Sequence, residues 1–234
     1  MKKIEVLYSE ACNYFGDTFN IRYLDRYKDI EIIYTSLNDE PRFVKEKIDM
    51  IYISPMTEHM QEVVIKKLNP FKDRILELID KDVIFFLSGN SLEIFGKYIE
   101  NEDGTKVKGL GITSLYAKRD MMHRFNSLFL GRFNDIKIVG FKSSFSQSFG
   151  KEKKLFKVIK GIGLNKESKV EGFRIKNVFG TYVLGPILVF NPLFTKYILD
   201  LLGVKYKKLE LEEELMDCYN DRLEEFESGF TKYN

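Results

Sequence analysis

Cysteine, histidine and tryptophan are scarce in this chain of 234 residues, which holds two cysteines, two histidines and no tryptophan. Cys12 and Cys218 are too few for a disulfide framework, and His59 and His123 lie far apart in the sequence. No spacing of these residues resembles a zinc site. The sequence therefore predicts no disulfide-stabilised fold, and it gives no indication of a metal or any other cofactor.

Long apolar runs are also missing. No stretch approaches the roughly 18 consecutive apolar residues that a membrane span needs. The apolar segment after Met1 is too short for the core of a signal peptide. With 44% hydrophobic residues the chain can still bury a sizeable core. We therefore expect a globular, cytoplasmic protein.

Charge of one sign is not in excess, since 37 basic residues stand against 35 acidic ones. The densest basic runs are 151–160 and 205–208, and we interpret both as solvated loops or strand ends. A nucleic-acid binder more often has a concentrated basic face. The sequence therefore predicts no nucleic-acid partner.

Short apolar runs alternate with amphipathic helical patterns over the first hundred residues. This alternation is typical of a parallel sheet that helices cover on both faces. The predicted strands are 4–8, 30–34, 50–54 and 83–87, and the predicted helices are 16–27, 41–47, 58–68, 70–81 and 91–98.

The second half is richer in strand patterns. The predicted strands are 113–115, 124–130, 136–141, 155–159, 171–175 and 178–183, and the predicted helices are 191–202 and 209–226. No internal repeat or flexible linker divides the chain. We expect one domain over residues 1–205, followed by a C-terminal amphipathic segment over 206–234. Its helix carries an apolar stripe that either packs on the domain or binds a partner: Leu211, Leu215, Tyr219, Leu223 and Phe226.

The segment 82–96, DVIFFLSGNSLEIFG, carries the strongest functional pattern. A buried strand ends, a tight polar turn follows, and a helix starts at once. In many α/β enzymes such an elbow places a nucleophile at the carboxyl end of the sheet, above a helix N-terminus that stabilises negative charge.

This elbow resembles that of class I glutamine amidotransferases of the cobyric acid synthase type (CobB/CobQ-like). In particular, it is similar to the glutaminase subunit of lipid II isoglutaminyl synthase, whose pattern is L-A-I-C-G-G-Y-Q-L-L-G. Gly89 takes the position of the nucleophilic cysteine and Glu93 that of the glutamine.

Other family motifs match in order over about residues 4–200. They are the Y-x-x-x-x-N-x-x-G-D-x-x-N opening from Tyr8 to Asn20, the V-G-F at 139–141, the E-G at 171–172, and the K-N-V-x-G-T-Y-x-H-G-P…N-P run from Lys176 to Pro192. The resemblance implies a three-layer α/β fold of the class I glutamine amidotransferase (flavodoxin-like) type. Its central sheet is mostly parallel with helices on both faces, and the second half adds antiparallel strands.

The departures from the family pattern fall at the chemically important positions. Glutamine hydrolysis needs a cysteine thiolate and a histidine base, but here Gly89 and Leu184 stand at those positions. The glycine-rich oxyanion turn reads Ser54-Pro55-Met56-Thr57, and proline lacks an N–H. The polar E-N-H stretch after V-G-F reads Lys142-Ser143-Ser144. We therefore predict that the chain has no catalytic residues for glutaminase activity.

The vacated pocket has six candidate lining residues: Ser54, Thr57, His59, Asn90, Ser91 and Ser144. We expect Ser88 to point into the sheet interior and Ser91 to cap the elbow helix. Cys12 and His59 are the candidates for a relocated nucleophile or base.

Three hypotheses follow. The chain is a non-catalytic subunit or scaffold for an ATP-dependent amide ligase, which the resemblance implies to be Mur ligase-like and to amidate a cell-wall precursor. Alternatively, it is a regulatory module whose vacated pocket binds a small carboxylate or phosphate. The third hypothesis is a different enzyme that uses Cys12, His59 or a carboxylate.

Overall fold

The computed structural model describes residues 1–229 of the chain, and thirteen strands and six α-helices lie within that range. The strands are β1 Lys2–Leu7, β2 Ile30–Thr35, β3 Met50–Ile53, β4 Ile84–Ser88, β5 Tyr98–Glu100, β6 Lys106–Lys108, β7 Tyr116–Arg119, β8 Phe125–Phe133, β9 Ile136–Ser144, β10 Ser146–Phe149, β11 Lys154–Lys160, β12 Val170–Ile175 and β13 Val178–Thr181. The α-helices are α1 Phe19–Leu24, α2 Glu58–Leu68, α3 Lys72–Asp80, α4 Ile187–Phe190, α5 Pro192–Leu202 and α6 Glu212–Glu227.

A nine-stranded sheet in the order β2-β1-β3-β4-β13-β12-β11-β8-β9 forms the centre of the fold. The first five strands of this order are parallel, and the remaining four pair antiparallel. Along β4 the side chains alternate, so that Phe85 and Leu87 enter one core while Ile84 and Phe86 enter the other. Helices α2 and α3 cover the first core, and α1 and α5 cover the second. The expected three-layer architecture is confirmed.

The antiparallel half of the sheet curls back on the parallel half. The edge strand β9 meets the segment after β13, where Leu184 N donates to Phe141 O at 2.8 Å and Phe141 N donates to Leu184 O at 3.1 Å. This closure brings the end of β9 beside the carboxyl ends of the parallel strands. Residues far apart in sequence therefore share one cleft.

A second, four-stranded sheet in the order β10-β7-β5-β6 was not predicted. Its strands are short and rich in lysine and serine, so they lack the apolar alternation on which a strand prediction depends. The prediction of a strand at 113–115 was wrong, since β7 begins at Tyr116.

Three predicted helices are shorter than expected. Phe15 and Gly16 have positive φ angles of 60° and 65°, so α1 begins only at Phe19. The segment 41–47 forms a single 3₁₀ turn, Arg42–Val44, and the elbow forms the 3₁₀ helix Gly89–Phe95 in place of an α-helix reaching residue 98. No helix in the described part of the chain is long and apolar enough to cross a membrane.

The helix α6 packs on the domain through Tyr219 and Phe226, which are 4% and 2% exposed. Tyr219 Oη also donates to Lys137 O at 2.8 Å. Leu211, the first residue of the predicted stripe, is half exposed and lies outside this contact. The division at residue 205 remains a prediction, and residues 230–234 of the predicted C-terminal segment lie outside the described residues.

Candidate functional site

The elbow turns at Gly89, directly after β4. Gly89 has a φ of +60°, a left-handed conformation that glycine adopts without steric cost. The strand–turn–helix shape predicted from the sequence is therefore present. It lies at the carboxyl ends of the parallel strands, where open α/β sheets bind their ligands.

No side chain fits at Gly89 as the surrounding residues are arranged. A Cβ atom placed there would lie 2.5 Å from Pro55 Cβ, 3.2 Å from Pro55 Cγ and 3.4 Å from Leu184 Cδ2. The proline ring is rigid and close to its own backbone, so it cannot rotate away. The space that a nucleophile would need is filled by Pro55.

Leu184 lies against this turn and is 1% exposed. The structure thus brings together the two positions that the resemblance assigns to the nucleophile and the base. Neither residue can accept or donate a proton through its side chain.

The turn that corresponds to the family's oxyanion turn is held by Asn90. Met56 N donates to Asn90 Oδ1 at 3.0 Å, and Asn90 Nδ2 donates to Met56 O at 2.8 Å. Pro55 O accepts from Tyr14 N at 3.0 Å. Because the Met56 amide already has this partner, it is not free to bind a developing oxyanion.

The cleft in front of Gly89 has a volume of about 30 Å³. That volume holds about one or two water molecules. Of the six predicted lining residues, Asn90 and Ser144 line it, whereas Ser54, Thr57, His59 and Ser91 do not. The sequence analysis missed other residues that line it, which include Phe15 and Arg124. Arg124 lies over the Phe145 ring at 4.2 Å, and Phe15 packs edge-on against Phe141.

The four predicted lining residues outside the cleft lie elsewhere in the fold, and two of them, Thr57 and Ser91, hydrogen-bond to the backbone. Thr57 Oγ1 accepts from Met60 N at 3.0 Å and caps α2. His59 is exposed on α2, and Ser54 is fully buried. Ser91 Oγ donates to the carbonyl oxygens of Ile53 and Ser88 at 2.9 and 2.7 Å. The prediction that Ser91 caps the elbow helix was wrong, because its hydroxyl donates to carbonyls instead of accepting from an N–H.

Cys12 is completely buried, and its Sγ lies 3.7 Å from Met56 Sδ. Burial raises the pKa of the Cys12 thiol to about 12. Because the thiolate is the nucleophilic form of cysteine, this environment disfavours Cys12 as a relocated nucleophile. Neither Cys12 nor His59 lines the cleft, and His59 is exposed on α2.

A buried hydrogen-bond network lies beneath the elbow, centred on Glu93. This carboxylate accepts from Gln61 Nε2 at 2.9 Å, from Tyr182 Oη at 2.7 Å and from Ser146 Oγ. Burial raises the pKa of Glu93, while these hydrogen bonds lower it. Ser88, as predicted, also points inward, and its Oγ donates to Asp17 Oδ1 at 3.1 Å.

Lys142 and Glu171 are two further buried ionisable residues of this network. Lys142 is 1% exposed, and its Nζ donates to Gly163 O at 2.7 Å. Glu171 accepts from Thr181 Oγ1 at 2.6 Å and from Tyr182 N at 2.8 Å. Burial lowers the pKa of Lys142, and the attraction of Glu171 and Glu93 opposes that change. A lysine in the strand sequence IVGFKSS is the one sequence signal that could have indicated this network.

Comparison with known proteins identifies the same family that the sequence motifs resemble. The family model of the CobB/CobQ-like glutamine amidotransferase domain matches residues 3–192. The chain is 26% identical over 213 residues to the lipid II isoglutaminyl synthase (glutamine-hydrolyzing) subunit GatD of Staphylococcus aureus, covering 88% of each chain. It is 27% identical to the GatD subunit of Streptococcus pneumoniae, covering 92% of this chain and 89% of that protein.

Solved structures share the fold at low sequence identity. A glutamine amidotransferase superposes with a TM-score of 0.58 at 12% identity, covering 86% of this chain and 99% of its own. A glutamine amidotransferase of Thermotoga maritima gives a TM-score of 0.53 at 10% identity, covering 97% and 99%. The family match spans most of the chain, and the fold agrees with it. The chain belongs to the family of CobB/CobQ-like glutamine amidotransferase domains.

Proposed function

We propose that this protein is a catalytically silent glutamine amidotransferase-like subunit that supports an ATP-dependent amide ligase. The observation that carries the proposal is the packing of Pro55 and Leu184 against Gly89. Glutamine hydrolysis in this family needs a cysteine at the elbow and a histidine beside it. Here those positions hold no reactive group, and the space for one is filled.

The retained fold supports a subunit role. The two GatD relatives are subunits of a lipid II isoglutaminyl synthase, so an amide ligase is the partner class that fits this chain best. By resemblance, we propose that this ligase is Mur ligase-like and that it amidates a cell-wall precursor in the cytoplasm. The ligase would then use free ammonia, because its silent subunit supplies none.

The rim of the closed cleft suits such a partner. Two of the ten large hydrophobic side chains that are exposed within residues 1–229, Tyr14 and Phe15, line this rim. Three more lie within four residues of a rim residue in the sequence: Phe19, Met121 and Met122. Tyr14 and Phe15 line the cleft, and the two methionines closely precede Arg124, which also lines it. Clustered exposed apolar side chains typically mark an interaction surface. We place the partner contact on this rim.

The second hypothesis, a small-molecule binding module, is less well supported. A pocket for an amino acid or a nucleotide needs hundreds of cubic ångströms, whereas this cleft has about 30 Å³. Asn90, the polar side chain best placed to bind an anion there, is already paired with the Met56 backbone.

A glutaminase assay tests catalytic silence directly. The purified chain is incubated with glutamine and the released ammonia is measured, with the glutamine-hydrolysing relative from Staphylococcus aureus as the positive control. Loss of a catalytic nucleophile and base lowers the rate on the order of a millionfold, so we expect no release above background. The Gly89→Cys, Leu184→His double variant should remain inactive, because Pro55 blocks the new side chain.

Turnover of glutamine by the unmodified chain that disappears in Cys12→Ala or His59→Ala would overturn catalytic silence. It would support the third hypothesis, a relocated active site.

A further inference from the structure

Three adjoining depressions lie at the amino ends of the parallel strands, at the opposite edge of the sheet from the closed cleft. The first two share Lys2, the first residue of β1. The third adjoins them, since Lys2 N donates to Asp29 O and Lys2 Nζ lies 3.6 Å from a Cβ built on Gly203. We call the residues that line these depressions the base face.

The base face is basic although the whole chain is nearly neutral. It contains eleven basic and five acidic side chains, and three further carboxylates, Glu40, Glu77 and Glu213, pair with its basic residues, which leaves a surplus of three positive charges. The whole chain has 37 basic and 35 acidic residues, so its positive surplus is located on this face. The sequence interpretation of 205–208 as an isolated solvated run missed this, because the other lysines come from distant segments.

Four lysines of the base face are exposed and unpaired. Lys28, Lys47, Lys205 and Lys207 make none of the side-chain hydrogen bonds or ion pairs found within residues 1–229. Lys28 precedes β2 and Lys47 precedes β3, whereas Lys205 and Lys207 follow α5. Three separate connections thus place unneutralised charge on the same face.

The chemistry of the base face fits an anionic bilayer better than a protein or a nucleic acid. A stable protein interface has a desolvated apolar centre, but Met1 is the one large hydrophobic side chain exposed among these described residues. Nucleic-acid recognition favours arginine, whose planar group binds phosphate with two hydrogen bonds. Nine of the eleven basic residues here are lysines. Clusters of four to eight basic residues are sufficient to bind anionic lipid surfaces through long-range attraction.

We infer that the base face binds the protein peripherally to a membrane surface rich in anionic phospholipid, while the rim at the opposite edge stays free. No apolar insertion is involved, so the attraction is purely electrostatic. It therefore weakens as salt shortens the screening length, from about 10 Å at 0.1 M to about 3 Å at 1 M. This inference does not depend on whether the chain is catalytically silent.

Vesicle co-sedimentation of the full chain tests it. The probes are vesicles of phosphatidylcholine alone and of phosphatidylcholine mixed with phosphatidylglycerol, at low and high salt. We expect binding to the anionic vesicles at low salt and none to the neutral ones. Replacing Lys28, Lys47, Lys205 and Lys207 together by glutamine should weaken binding more than about tenfold, since each lysine near the surface contributes several-fold.

The matched control removes the same charge elsewhere. Lys151, Lys153, Lys154 and Lys157 are exposed on or before β11, and their replacement by glutamine should leave vesicle binding nearly unchanged. All eight lysines are exposed, so both variants should fold, which thermal unfolding checks. The inference is overturned by equal losses in the two variants, by failure of the unmodified chain to bind anionic vesicles, or by tighter binding to a DNA duplex at the same salt.

Discussion

At the scale of single residues, the buried network beneath the elbow differs from the family pattern at two positions whose side chains attract each other. The family has glutamine where this chain has Glu93, and glutamate where it has Lys142. Lys142 is attracted by both Glu93 and Glu171, so the carboxylate gained at position 93 faces a new cation. An unpaired charge left in this interior would cost several kcal/mol. The two exchanges are consistent with the proposal that this network stabilises the fold.

Asp17, a residue of the family's opening motif, has a structural role in this chain. It is completely buried, and its carboxylate accepts from Tyr52 Oη at 2.6 Å, from Ser88 Oγ and from Asn20 Nδ2. Asn20 Oδ1 in turn accepts from Leu188 N at 2.8 Å. This motif thus ties the loop after β1 to β3, β4 and α4.

The pH dependence of stability tests the role of Asp17. Burial raises the pKa of Asp17 from 3.8 to about 6, so the folded state binds its proton more tightly than the unfolded state does. Its contribution is therefore fully present at low pH and falls as pH rises from about 4 to 6. The change amounts to about 3 kcal/mol. Urea unfolding of the unmodified chain and of Asp17→Asn should show a stability difference that changes by this order over that range. A difference that stays constant with pH would contradict the account.

At the scale of secondary-structure elements, the elbow has the strand–turn–helix shape of the family, but glycine stands at its nucleophile position. The β4 strand, the positive φ at Gly89 and the helical segment that follows are all present. In an active member, a non-glycine nucleophile at such a turn is often held in a strained conformation. Glycine adopts this conformation without that strain, and Pro55 of the neighbouring turn occupies the space where a side chain at position 89 would lie.

Two alanine substitutions separate the cost of backbone strain at a positive φ from the cost of overlap with Pro55. Gly89 and Gly16 have nearly the same φ, +60° and +65°, but a Cβ at Gly16 would meet nothing within 4 Å. Gly16→Ala should cost about 1 kcal/mol from backbone strain alone. Gly89→Ala should cost about 1–3 kcal/mol more, because the methyl group overlaps Pro55. Chemical denaturation measures both values. Equal losses in the two variants would show that Pro55 does not fill the nucleophile position.

The packing of helix α6 distinguishes between the two interpretations of its apolar stripe. Its apolar stripe fits either the parent domain or a partner. In the structure, Tyr219 and Phe226 enter a small core with Leu130 and Val139, so this part of the stripe is already covered. Leu211 is exposed and lies at the helix start, with a positive φ of 55°. The exposed aromatic rim of the cleft is therefore the better candidate for a partner contact.

At the scale of the whole molecule, the sequence predicted the parallel half of the fold closely and the candidate site only in part. The runs of β1 to β4 and the helices α2 and α5 agree within about two residues, because apolar periodicity determines them directly. The family resemblance assigned Gly89 and Leu184 to one site, and the structure brings the two residues into contact. Closure of the cleft was not predictable, because it depends on a contact between Pro55 and a glycine 34 positions away.

The base face could not be predicted from the sequence for the same reason. Its lysines come from segments that the sequence separates widely, and only the parallel topology collects them at one edge. The molecule therefore has two distinct ends. One end carries the closed cleft with its aromatic rim, and the other carries unpaired positive charge.

Affinity capture of the tagged chain from its native host tests whether it is a silent subunit of an amide ligase. The captured material is identified by mass spectrometry, and ATP-dependent amide formation is assayed with ammonium or with glutamine as the nitrogen source. We expect stoichiometric recovery of an ATP-dependent amide ligase that uses ammonium and not glutamine. Recovery of the chain alone, or amidation supported by glutamine, would contradict a catalytically silent subunit.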